Sequence, residues 1–126
     1  MTSFLERRGL VLRADLLGVW SGWLTPVFEP RRYRTWFFVA ELPVGQRTRD
    51  VSTESDHVTW VGADKAVAMV DAGELLMLPP TYLTCLDVAR HAGPAEVLTA
   101  AADRVVDMFT PELVEVDGEF TLSTPP

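Results

Sequence analysis

Three arginines, Arg31, Arg32 and Arg34, fall within four residues, beside Glu29-Pro30 and around Tyr33. A guanidinium group holds its donors in a rigid fork, so such a cluster can grip an anion through paired bonds. Arg47 and Arg49 in the following loop extend this local basic patch. A solvated turn with surface arginines is the competing reading, because charged turns are common. Carboxylates are the second chemical resource. Asp103 and Asp107 flank Arg104 with i, i+4 spacing, which places both on one face if the segment is helical. That pair reads better as a solvated helix face than as a metal site. The sole cysteine, Cys85, lies in an apolar helical pattern and reads as a buried core thiol. A catalytic thiolate would need a neighbouring His or Lys, and His91 falls off its helix face.

Strands must position the arginine cluster. Leu16 to Phe28 is rich in Leu, Val and Trp, with Gly18 and Gly22 inside, and reads as a strand with a bend or bulge. Pro26 and Pro30 bound a turn. Thr35 to Leu42 reads as a second strand, and its nearly continuous apolar run predicts burial on both faces. Pro43 to Asp56 is a polar loop of a length that suggests function. His57 to Val61 reads as a short third strand. Upstream, Ser3 and Glu6 form a capping-box pattern for a short helix that Gly9 ends.

Helices follow the strands. Ala63 to Ala72 carries apolar residues at helical spacing and stops at Gly73. Pro79-Pro80 opens a helix to about His91, and Pro94 opens another to about Phe109. In the second of these, Val97, Leu98, Ala101, Val105 and Met108 share one side. Leu113 to Leu122 alternates around Asp117-Gly118, a two-residue hairpin signal. Strands first and helices after give an α+β class with a small mixed or antiparallel sheet, C-terminal helices and a terminal hairpin. Trp20, Trp23, Trp36, Phe37, Phe38 and Trp60 are a heavy aromatic load for so thin a sheet. Part of a sheet face is expected to lack cover, making it a pairing site or an aggregation hazard.

The bulk numbers set the frame. The chain has 126 residues, one domain's worth, and its 48% hydrophobic content can furnish a core. A net charge of −7 argues against a nucleic-acid or anionic-membrane partner, which would call for a basic field. No apolar run reaches the roughly 20 residues that span a bilayer. No apolar stretch follows Arg7-Arg8, as a signal peptide would require. With one cysteine, the expected setting is a reducing compartment, the cytoplasm.

Four segments in order carry a family likeness. They are Trp23-x-Thr25-Pro26; Arg31-Arg32-Tyr33-x-Thr35-x-Phe37-Phe38; Glu54 with Trp60 six residues on; and Leu78-Pro79-Pro80-Thr81. Together they resemble a branch of the Nudix hydrolases similar to the coenzyme A diphosphatases, over about residues 3 to 92. The resemblance implies metal-dependent cleavage of a diphosphate in coenzyme A or a nucleoside diphosphate derivative. It implies substrate contacts from Trp23, Arg31, Arg32 and Tyr33. It gives Glu54 the role of metal ligand or base, with Mg²⁺ or Mn²⁺ as the family's cofactor. Two positions depart from the branch: Arg34 stands where Asp is usual and Trp36 where Arg is usual.

The family's catalytic signature is missing. It consists of a glycine loop and a helix bearing Arg-Glu-x-x-Glu-Glu, whose carboxylates share one face to hold metal against the diphosphate. No glutamate in this chain forms that run. The expectation is the later half of a Nudix fold, inactive or nearly so alone. Two other readings stay open: a ligand-binding or interaction module that pairs with itself or a complementary chain, and an unrelated small α+β domain.

Overall fold

A computed structural model describes residues 2–11, 13–47 and 59–125. The architecture is α+β. Helix α1 spans Thr2–Arg8, and a single 3-10 turn spans Ala14–Leu16. Strands β1 (Gly18–Leu24) and β2 (Arg34–Val39) form an antiparallel pair. Helices α2 (Ala63–Asp71), α3 (Pro79–Val88) and α4 (Pro94–Asp103) follow. Strand β3 (Met108–Phe109) then joins β1 in parallel, giving the order β2-β1-β3. Strands β4 (Leu113–Val116) and β5 (Glu119–Leu122) make a separate two-stranded sheet.

The sequence explains most of these boundaries. Pro79-Pro80 and Pro94 occupy first-turn positions, where a missing N–H costs nothing. Gly9 (φ 65°) and Gly73 (φ 79°) lie just beyond the ends of α1 and α2, in the left-handed conformation that suits glycine. In the terminal hairpin, Asp117 (φ 51°) and Gly118 (φ 83°) form the two-residue turn whose twist matches the strands. Ser123 closes it, donating its N–H to the Glu112 carbonyl at 2.8 Å and accepting the Glu112 N–H on its hydroxyl at 2.9 Å.

A bulge decides the packing of β1. Val19 pairs with Phe38 and Ser21 with Phe37, so Trp20 is the extra residue. The slip puts Trp20, Ser21 and Trp23 on the side covered by helices, with Phe37 and Val39 of β2. Trp20, only 1% exposed, packs with Val97 and Ala101 of α4. Gly18 lies under α4, where an added Cβ would stand 2.7 Å from that of Ala101. Trp23 of β1 and Ala66 and Val67 of α2 are also buried. Helices α2 and α3 are pinned by the Tyr82 hydroxyl, which donates to Asp71 at 2.8 Å. That bond raises the Tyr82 pKa above its ordinary value, with desolvation adding to it.

The other side of the sheet carries Val19, Trp36 and Phe38, and the two aromatic rings remain 46% and 53% exposed. The Trp36 ring lies over Gly22, the close approach that excludes a side chain there. Burial of β2 on both faces is therefore corrected: helices cover one face only. The total accessible surface is 10352 Å². A folded monomer of 14.0 kDa would expose only about 6,700 Å² on the size scaling of compact proteins.

Four further expectations are corrected. The helix from Pro94 stops at Asp103, not Phe109, because Met108 and Phe109 pair with Gly22 and Trp23 of β1. Asp107 consequently lies off the helix that carries Asp103. Thr59 to Gly62 form no strand, while His57 and Val58 lie outside the described residues. Ser3 sits inside α1 rather than capping it. Gly18→Ala is predicted to destabilise the chain by about 1–3 kcal/mol, because the methyl group overpacks the contact with Ala101. Urea titration checks this, and unchanged stability would refute the packing.

Candidate functional site

The arginine turn is held by Thr25. Its N–H and its hydroxyl both donate to the Tyr33 carbonyl, at 3.1 and 3.3 Å. The same hydroxyl accepts the Tyr33 N–H at 3.0 Å. Arg32 donates from Nε to the Thr25 carbonyl at 2.9 Å. Arg32 thus braces the turn across its neck, while Arg31 and the Tyr33 ring stand in solvent. Trp23 is buried and lines a cleft of 490 Å³ between β1, α3 and the 104–109 segment. Arg31, Arg32 and Tyr33 do not line that cleft. The four expected substrate contacts are therefore split between an exposed turn and a buried wall.

Glu54, the expected metal ligand and base, lies outside the described residues, as do Arg49, Asp50 and Asp56. Among the described residues, no three His, Cys, Asp or Glu side chains converge into a metal site.

The cleft is built around Arg104. Its Nε donates to the Trp20 carbonyl at 3.0 Å, and its NH2 group meets Asp87 of α3 at 3.0 Å. The guanidinium carbon lies 4.1 Å from the centre of the Trp20 ring, within cation–π range. One side chain thus ties the end of α4 to both β1 and α3. Among the described residues, the Trp20 indole N–H has no hydrogen-bond partner. Leaving such a group buried costs about 1–3 kcal/mol, so tight packing must offset it. The His91 ring meets Trp20 edge to face at 5.6 Å. Arg90 approaches Asp87 more loosely, at 3.8 Å.

The apolar wall of the cleft is Trp23, edge to face with Phe109 at 5.3 Å, together with Leu83. The Trp23 indole donates to the Ser21 hydroxyl at 3.3 Å, and that hydroxyl bonds to Thr84 at 3.2 Å. Asp107 also lines the cleft. Among these groups only Trp23 was an expected substrate contact; Asp107 read from the sequence as part of a solvated helix face. Asp87 and Arg90 have helical i, i+3 spacing, an ordinary surface pattern. Arg104 and Trp20 are 84 residues apart, so no local pattern announces their contact. Cys85 is half-buried rather than fully buried, and desolvation raises its pKa above the ordinary thiol value.

Two outcomes follow from this geometry. Arg104→Lys is predicted to lose about 1–2 kcal/mol, nearly as much as Arg104→Ala, because an ammonium cannot reproduce the planar stack and forked bonds. Urea unfolding checks it, and a lysine variant of wild-type stability would contradict the clamp. Cys85 is predicted to alkylate more slowly at pH 8 than an unfolded thiol. The raised pKa keeps it protonated, so its contribution to stability is present at low pH and is lost as pH rises through the thiol range. Rapid alkylation of the folded chain would contradict this. Comparison with protein-family models, curated proteins and solved structures finds no match for the chain.

Proposed function

We propose that this chain acts as the later half of a Nudix-type diphosphate hydrolase fold, silent in hydrolysis by itself. Its open sheet face receives a complementary chain supplying the glycine loop, the Arg-Glu-x-x-Glu-Glu helix and the first strands. The observation that carries the reading is surface: the chain exposes about one and a half times the area expected for its mass. Among the exposed large hydrophobic residues, Trp36 and Phe38, 46% and 53% exposed, stand on the sheet face opposite α3 and α4. A stable interface needs only about 800 Å² from each partner, well within the excess.

The charge pattern supports the same assignment. Arg31 is exposed beside the turn that Arg32 braces, so it is free to meet a diphosphate brought by the completed fold. The chain alone lacks the carboxylate helix that would stabilise charge during phosphoryl chemistry, and such stabilisation is usually the largest catalytic contribution. Glu54 is the residue through which this chain would contribute to the completed centre.

The test is an assay of coenzyme A hydrolysis with Mg²⁺, using the chain alone and co-purified with a chain carrying the missing signature. The chain alone should match the metal-only blank. The pair should co-purify and hydrolyse, and Trp36→Lys with Phe38→Lys should weaken their association at least about tenfold, since buried aromatics dominate interfaces. Hydrolysis by the chain alone contradicts its silence. Failure to co-purify contradicts the pairing.

A further inference from the structure

The cleft beside Trp23 lies on the helix-covered side of the sheet, and Arg31, Arg32 and Tyr33 do not line it. Its 490 Å³ falls within the roughly 300–1,000 Å³ usual for small-ligand sites, and it joins an apolar wall to converging polar groups. We propose that it binds a small organic mono-anion: a carboxylate carried on an apolar or aromatic body.

The charge arrangement selects this ligand. Arg104 is committed to the Trp20 carbonyl and to Asp87. Arg90 is not: its guanidinium lies 3.8 Å from the same carboxylate and is 74% exposed. Asp87 therefore serves two guanidinium groups and holds the second weakly. An incoming carboxylate can take Arg90 with a paired, charge-assisted contact while Arg104 keeps its place. Asp107 and Asp87 on the walls cancel the formal charge of the two arginines, so a polyanion such as a diphosphate gains little there. A single negative charge is what this wall accepts.

The remaining surface suits an apolar body. Trp23, Phe109 and Leu83 offer aromatic and aliphatic contacts to a flat ring. Ser21 and Thr84 already bond to each other, so the hydroxyls leave little unmet demand for a strongly polar ligand.

The test is a nitrogen–proton correlation titration of the whole chain, following the Trp23 indole signal. The probes are 2-naphthoate, its neutral isostere 2-naphthamide, and pyrophosphate. Naphthoate should shift the Trp23 signal saturably, with naphthamide and the Arg90→Gln variant each weaker by about tenfold, the worth of one charge-assisted bond. Pyrophosphate should leave that signal unmoved. The proposal is overturned by the absence of a saturable shift with naphthoate up to about 10 mM, a millimolar-affinity limit. It is overturned equally by naphthamide or Arg90→Gln binding as tightly as the reference, or by pyrophosphate saturating the same signal. Arg90 is a largely exposed side chain, so the variant should keep its fold, and the naphthamide arm judges the charge on the unaltered chain.

Discussion

The bulge at Trp20 orders the rest of the fold. A regular strand would alternate its side chains, and Trp20 and Ser21 would face opposite ways. The extra residue lets both face the helices, and Trp23 joins them two positions on. Trp20 then becomes the buried piece under α4, Ser21 reaches Thr84 of α3, and Trp23 walls the cleft. Arg104 seals the arrangement from the far end of α4 through the Trp20 ring, the Trp20 carbonyl and Asp87. Core and cleft thus arise from a single irregularity in pairing.

That concentration on one side leaves the other side bare. Gly22 admits the Trp36 ring, but Trp36 and Phe38 still show about half their surface. Only six hydrophobic residues are buried in the described chain, too few to set a wide margin against chain entropy. The same aromatic residues that weaken an isolated chain would anchor an interface. This links the thin core to the proposed role, since a surface too apolar for solvent is one shaped for cover.

Local signals were legible, and contacts over long sequence distances were not. Pro79-Pro80, Pro94 and Asp117-Gly118 marked two helix starts and a hairpin because proline and glycine constrain the backbone where they stand. The glycines around Trp20 announced a bulge in β1. By contrast, Val105 and Met108 fit helical spacing, yet Met108-Phe109 became a strand because β1 offered backbone partners. The apolar run in β2 suggested double burial, but its composition does not reveal whether a second layer exists. Of the candidate site, Trp23 was visible as an aromatic in a turn-flanking strand. The Asp87–Arg104–Trp20 arrangement was not, since it is assembled by tertiary packing. Arg32 looked like an anion contact and instead braces its own turn.

The sheet face bearing Trp36 and Phe38 requires cover. Sedimentation velocity of the purified chain, over a range of micromolar concentrations, tests this most directly. Species heavier than the 14.0 kDa single chain are expected, growing with concentration as exposed aromatic faces find one another. A single compact species of 14.0 kDa at every concentration, unfolding cooperatively in urea, would contradict it.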